Sequence, residues 1–157
     1  MDKVRFAQEK DIPQIMDLLV QVDMVHHNGR PDIFKGPATK YTEEELKELL
    51  KNELYVIFVR VDESDSAIGH AFCIHKQEMH NNVLTDIKTL YIDDICVNEK
   101  NRGEHVGSDL YNAVIAYARK KGYYNVTLNV WSCNPTAMKF YESMGLVPQK
   151  VCLEKIL

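Results

Sequence analysis

Among its 157 residues the chain has no apolar run near the roughly 20 residues that a membrane-spanning helix requires, so no membrane partner is expected. Positive charge is not in surplus either. Nineteen Lys+Arg stand against 23 Asp+Glu, a net charge of −4. That argues against a nucleic-acid partner, whose phosphate backbone calls for clustered Lys and Arg, while a mildly acidic balance tolerates a cationic one. The four cysteines, Cys73, Cys96, Cys133 and Cys152, include no C-x-x-C pair. Zinc-ribbon and redox-dithiol signatures are therefore missing, and reduced thiols in or near the core are expected. His26 and His27 are adjacent, point opposite ways on a helix or strand, and make a weak metal pair, so no metal is implied. At the start, Met1-Asp2-Lys3-Val4-Arg5-Phe6 has charges where a signal peptide would hold its apolar stretch. A cytoplasmic protein is expected.

What is present fits an ordinary soluble domain: 45% hydrophobic and 27% charged residues. At this length a folded chain buries roughly 70% of its unfolded surface, enough for a core without disulfides or a structural metal. No repeat, low-complexity tract or linker divides the sequence, so residues 1–157 read as one domain. The spacing predicts a strand over Val4–Ala7 and a helix over Lys10–Val25, with Ile12, Ile15, Met16, Leu19 and Val22 on one side. A long loop follows, His26 to Lys40, with Gly29, Pro31, Gly36 and Pro37. Thr42 and Glu45 form a capping box that opens a helix to about Lys51.

Strands are predicted over Tyr55–Val61, Ile68–His75 and Lys88–Val97, then a helix carrying Leu110, Ala113, Val114, Tyr117 and Ala118 up to the stop at Gly122. A strand over Val126–Val130, a helix over Pro135–Met144 and a last strand over Val147–Leu153 complete the order. This succession predicts an α/β (α+β) fold with a mixed, mostly antiparallel central sheet flanked by helices on both faces.

Two segments carry the chemistry. In the first, Leu90 to Ser108, a strand feeds a short loop, Arg102-Gly103-Glu104-His105-Val106-Gly107-Ser108, that opens an amphipathic helix. Free backbone N–H groups at the positive end of a helix dipole suit a phosphate. A Walker loop is excluded, because no G-K-[ST] follows the first glycine. The second segment runs from Asn129 to Leu146 and contains Asn134-Pro135-Thr136-Ala137-Met138-Lys139-Phe140-Tyr141-Glu142-Ser143-Met144-Gly145-Leu146, the form N-x-x-A-x-x-F-Y-E-x-x-G-[FL]. Together the two segments resemble the GNAT superfamily of acetyl-CoA-dependent N-acetyltransferases over about residues 88 to 147.

The resemblance implies a GNAT-like sheet and transfer of an acetyl group from acetyl-CoA to a primary amine of a small molecule or peptide, in a ternary complex and without a covalent enzyme intermediate. It further implies a two-fold dimer. In the family an R/Q-x-x-G-x-G/A loop wraps the diphosphate of the coenzyme. Arg102 and Gly107 match that pattern, and His105 stands at its first glycine. The amides of Gly103, Glu104, His105, Val106, Gly107 and Ser108 are expected to line the site. The strand before the loop would splay from its parallel neighbour and offer main-chain groups of Ile95, Cys96 and Val97 to the pantetheine arm.

Acetyl transfer needs two proton movements. A lysine-like ammonium with a pKa near 10.4 is only about one part in a thousand neutral at pH 7, so a base is required, and the departing thiolate needs a proton. By resemblance, Tyr141 supplies the proton and Asp93 acts as base. Asp93 and Asp94 are expected on opposite faces of the strand, with Asp94 able to orient a neighbouring loop instead. Asn134 precedes Pro135 and reads as a helix cap, a role compatible with the coenzyme contact that the family makes there. Tyr91, His26, His27, Arg30 and Phe34 are candidates for lining the acceptor site. A rival reading keeps the fold as a non-catalytic acyl-CoA-binding regulatory module.

Overall fold

The structure is a computed structural model that describes residues 3–157. Strand β1 (Val4–Phe6) leads through one 3-10 turn, Glu9–Asp11, into helix α1 (Ile12–Gly29). Helix α2 (Glu43–Lys51) precedes three consecutive strands, β2 (Tyr55–Val61), β3 (Ala67–Lys76) and β4 (Thr89–Val97). Helix α3 (Val106–Lys120), strand β5 (Asn125–Leu128) and helix α4 (Pro135–Ser143) follow. The five strands lie side by side in chain order, β1 to β4 antiparallel and β5 parallel to β4.

Local chemistry explains the helix starts. Thr42 Oγ1 accepts from the Glu45 amide at 3.2 Å while Glu45 Oε2 accepts from the Thr42 amide at 2.8 Å, the reciprocal pair that the sequence predicts for α2. Pro13 stands in the first turn of α1, where its missing N–H costs nothing. Just before it, buried Asp11 is held by Arg5 through two bonds of 2.8 and 3.0 Å, so the charge is paired rather than stranded.

The core has two layers, one on each side of the sheet. On one side α3 inserts Val106, Leu110, Tyr111, Val114 and Ala118 against Phe58, Ala71, Cys73, Leu90 and Ile92, with Phe140, Met144 and Leu146 packed at the margin. On the other, Ile12, Ile15 and Leu19 of α1 and Leu46 of α2 cover Ile57, Val59, Val61 and Phe72. Helices on both faces are thus as expected.

Three expectations need correction. Helix α1 runs on through His26 and His27 to Gly29, so the connecting loop begins at Arg30. Its carbonyls remain paired through the last turn, where the Arg30 amide bonds to His26 O at 2.8 Å. The strand expected over Val126–Val130 ends at Leu128. The last strand, Val147–Leu153, does not form: its residues are exposed and pair with no strand among the described residues. Alternating apolar side chains create a face to bury, but a strand also needs a neighbour for its amides and carbonyls.

Candidate active site

Strand β4 is nine residues long and β5 only four, and this mismatch creates the site. The parallel ladder joins Thr89, Leu90, Tyr91 and Ile92 to Asn125, Val126, Thr127 and Leu128 and then stops. From Asp93 to Val97 the strand pairs only with β3, through Cys96 with His70, Ile95 with Ala71 and Val97 with Gly69. Its other main-chain edge is open. Ile95, Cys96 and Val97 therefore lie beside a wedge between the two strands. The Cys96 side chain points away into the core, where its thiol meets Leu18 O at 3.3 Å and burial pushes its pKa up.

The open edge leads into the glycine-containing loop. Gly103 has φ +84 and His105 φ +61, so two left-handed residues fold the backbone over before α3 begins at Val106. Glycine reaches this region freely, and histidine enters it more readily than a β-branched residue would. Among the described residues, the amides of Gly103, Glu104, His105, Val106, Gly107 and Ser108 donate to no protein acceptor, and the first helical bond runs from the Asp109 amide to His105 O at 2.9 Å. Six such donors at the start of a helix suit a phosphate or diphosphate. Arg102 follows a short 3-10 turn, Glu99–Asn101, and forms no salt bridge with the described residues. Gly107 lies against α4: a Cβ there would stand 3.5 Å from Phe140 and 3.6 Å from Val97, so β4, the loop and α4 converge.

Tyr141 is the next residue along α4, its ring 5.3 Å from that of Phe140. Its phenol is largely buried, and its hydroxyl bonds to none of the described residues. Burial first, and the negative charge of Asp94 second, push its pKa up, so it remains a proton donor throughout the neutral range. Asn134 caps α4: its Oδ1 accepts from the Ala137 amide at 3.2 Å, which leaves its side-chain NH2 free.

The two aspartates are not split between the faces as alternation predicts. The register shifts between Phe72 and Cys73, which pair with Asp94 and Ile92, so Asp93 is the extra residue of a β-bulge. Both carboxylates reach the α1 and α2 side of the sheet. Asp94 Oδ2 bonds to Nε2 of His70 at 2.8 Å, and His70 is fully buried with Nδ1 unpartnered. Asp93 Oδ2 lies 2.5 Å from the Lys40 ammonium and 3.5 Å from the Tyr41 hydroxyl. Only 11% of the Asp93 side chain is exposed. Tyr41 stacks on Phe72 with ring centroids 5.8 Å apart, and burial together with the Asp93 charge raises the pKa of its phenol.

Outside these carboxylates the wall is aromatic. Phe34 packs between His26 and Trp131, each ring centroid 5.0 Å away, and His27 Nδ1 bonds to Phe34 O at 2.7 Å. Tyr91 accepts a bond from the Asn129 side chain at 3.1 Å and lies under the Lys76 ammonium, 4.1 Å from its ring centroid. Arg30 ties the same region to Glu154. A groove of about 500 Å³ approaches Lys40 and Tyr41 and is lined otherwise by Glu44, Glu45, Glu48 and Leu49. Lys40, Tyr41, His70 and Trp131 are participants that the sequence reading does not anticipate. Nothing in the spacing of Lys40 and Tyr41 links them to a carboxylate more than fifty positions away.

Comparison with known proteins identifies the family. Residues 23–146 match the acetyltransferase (GNAT) family, and the chain belongs to it. A point mutant of the BH1408 protein from Bacillus halodurans is 28% identical, with 98% of each chain covered and a TM-score of 0.93. An aminoglycoside acetyltransferase from an uncultured soil metagenomic sample, solved in complex with trehalose, shares 20% identity over 99% of this chain and 95% of its own, with a TM-score of 0.75. The aminoglycoside N-acetyltransferase AAC(6')-Iy, solved in complex with CoA, has 15% identity, covers 98% of both chains and gives a TM-score of 0.73. At such identities the last two show likeness of fold alone.

Proposed function

We propose that the protein transfers an acetyl group from acetyl-CoA to a primary amine of a small molecule or peptide, by direct attack in a ternary complex. The observation that carries this reading is the continuity of β4: an open main-chain edge from Asp93 to Val97 runs into six amides with no acceptor of their own. A thin polar arm that ends in a diphosphate fits such an edge and loop. The amine nitrogen forms its bond to the thioester carbonyl carbon as the carbon–sulfur bond breaks. Asp93 takes the proton of the incoming ammonium, and the Tyr141 phenol protonates the leaving thiolate. An N–H of the open edge polarises the carbonyl oxygen.

The nature of the acceptor follows from what touches Asp93. An ammonium, that of Lys40, rests on its carboxylate, and Glu44, Glu45 and Glu48 line the groove beside it. A cationic amine is therefore favoured, and the aminoglycoside specificity of two structural neighbours is compatible with that.

Two measurements on the purified chain test the reading: the shift of melting temperature with acetyl-CoA, and release of free CoA across a panel of polyamines, aminoglycosides, amino acids and lysine peptides. Binding at 100 times Kd stabilises the fold by about 2.7 kcal/mol, so a clear upward shift is expected, with turnover on at least one cationic amine. No shift at saturating acetyl-CoA defeats the proposal. A shift without turnover on any amine favours the regulatory binding module.

A further inference from the structure

An ammonium of the chain itself occupies the place that the proposed reaction reserves for the substrate's nitrogen. Asp93 is the first residue beyond the last β4–β5 pair, Ile92 with Leu128, so it stands at the mouth of the wedge. Lys40 Nζ lies 2.5 Å from its Oδ2. A general base takes a proton only within hydrogen-bond reach. The nitrogen of any acceptor that Asp93 deprotonates must therefore come where Lys40 Nζ rests.

This pair differs from the other lysine–carboxylate pairs among the described residues. Lys10, Lys47 and Lys51 rest on Asp65, Glu9 and Glu48, whose side chains are 48% to 78% exposed. Pairs of that kind contribute little in water. Asp93 is only 11% exposed, yet the lysine that reaches it is half-exposed. The segment that delivers Lys40 is lightly held. From Lys35 to Tyr41, among the described residues, the backbone makes one hydrogen bond, from the Ala38 amide to Asp23 Oδ2 at 2.9 Å. A flexible lysine stem on such a loop can carry its nitrogen toward a thioester along β4, or swing it out into the groove lined by Glu44, Glu45 and Glu48.

Resting on the acetyl-transfer reading above, we propose that Lys40 is itself an acetyl acceptor: the chain acetylates its own Lys40, and loss of that charge clears Asp93 for external amines. The Lys40 ammonium gives one proton to Asp93, and its nitrogen forms an amide bond with the thioester carbonyl carbon. The carbon–sulfur bond breaks with its electron pair left on sulfur, and the thiolate takes a proton from the Tyr141 phenol. A second proton from the attacking nitrogen restores the phenol. One acetyl-CoA and one ammonium thus give an acetamide, the CoA thiol and the proton held by Asp93. The acetylated side chain has no charge to pair with Asp93, whereas Glu44, Glu45 and Glu48 still draw a cation into the groove.

The test is to incubate the purified full chain with acetyl-CoA and no other amine, and to locate added acetyl groups by intact mass and peptide mapping. Acetyl should reach Lys40 at least about tenfold faster than Lys47 or Lys51, at a rate per molecule independent of protein concentration. Tyr141→Phe should slow this step at least about a hundredfold. Should that variant fail to fold, Asp93→Asn takes its place, with an expected loss of at least about tenfold. Prior acetylation, or Lys40→Gln with its neutral side chain, should lower KM for a cationic amine at least about threefold. Turnover on external amines with no acetyl on Lys40 overturns this proposal and leaves the acetyltransferase reading standing, whereas acetyl-CoA binding with neither defeats both. Acetylation of Lys40 no faster than that of Lys47, or indifferent to both substitutions, is spontaneous chemistry and overturns the proposal. A rate per molecule that rises with protein concentration means transfer between copies and does the same. An acetylated chain with the KM of the untreated one overturns the clearing of Asp93.

Discussion

The two halves of the candidate active site are built from different materials. The half facing α3 is main chain: an open strand edge and six free amides, placed by a length mismatch between β4 and β5 and by two left-handed residues. The half facing α1 and α2 is side chain, with Asp93, Asp94, Lys40, Tyr41, His70, Phe34 and Trp131 brought from five separate stretches. A main-chain surface tolerates substitution as long as φ and ψ hold, and His105 holds the left-handed φ at the position where the family pattern has glycine. Side-chain recognition has no such tolerance. In the proposed reading, the first half would hold the coenzyme and the second the acceptor.

The sharpest way to separate the halves is Tyr141→Phe, which removes a proton donor while leaving the amides and the edge intact. General acid catalysis contributes about 10²- to 10⁴-fold, so kcat should fall at least about a hundredfold while the Kd for CoA, read by calorimetry, stays within about twofold. A large loss of CoA affinity would place the phenol in binding and erase the division. The raised pKa of Tyr141 also sets a sign: the acid stays protonated up to its normal value near 10 and beyond, so a fall of kcat below about pH 10 must come from another group.

Next in size is Asp93→Asn. Loss of the proposed base should cost about tenfold or more in kcat/KM for a cationic amine, with much of the deficit recovered at alkaline pH, where the amine loses its proton unaided. Lys40→Ala is the counterpart. It frees the carboxylate of its resident ammonium and should lower the KM for the same amine with kcat nearly unchanged. If KM rises instead, Lys40 holds the acceptor and does not stand in its place.

A smaller effect probes the main-chain half. Proline fixes φ near −65° and cannot follow the left-handed turn at His105, so His105→Pro should weaken CoA binding about tenfold and fray the start of α3. His105→Gly should keep CoA affinity within about twofold. In its stability, relief of left-handed strain, about 1–2 kcal/mol, is offset by the extra freedom of glycine in the unfolded chain, about 0.5–1 kcal/mol. Should glycine abolish binding, the imidazole itself touches the diphosphate.

This division also explains how much the sequence reveals. Helix α2 is legible to the residue because its cap is local, Thr42 with Glu45. The loop of Gly103–Ser108 and the cap at Asn134 are legible for the same reason. The two aspartates are misassigned to opposite faces because a β-bulge is a property of two strands, and its extra residue at Asp93 is set by the pairing of Phe72 with Asp94. Lys40 and His70 escape notice because their partners lie 53 and 24 positions away. Val147–Leu153 has strand alternation yet no strand to join, so pattern alone yields the wrong state. Periodicity reports which face needs cover and is silent on who provides it.

The least visible effect at neutral pH concerns the sheet that holds both halves. Cys73 faces the α3 layer and Cys96 the α1 layer, both buried and both with thiol pKa values pushed well above the usual range by desolvation. In the unfolded chain these thiols ionise near pH 8.5. Because the folded values are the higher ones, the folded state retains protons that the unfolded state releases. Stability is thus fully present below pH 8.5 and declines as pH rises through that value, by up to about 1.4 kcal/mol per pH unit for each thiol. Urea unfolding between about pH 7.5 and 9, below the range near pH 10 where the unfolded phenols ionise and the buried tyrosines contribute in the same sense, should show this slope. Cys73→Ala should remove one half of it and Cys96→Ala the other, whatever each costs in packing at pH 7. A slope that survives in the double variant means that other groups produce the alkaline loss. A slope abolished by Cys96→Ala alone means that only the α1 layer excludes water well enough to hold its thiol neutral, and that this side of the sheet is the drier of the two.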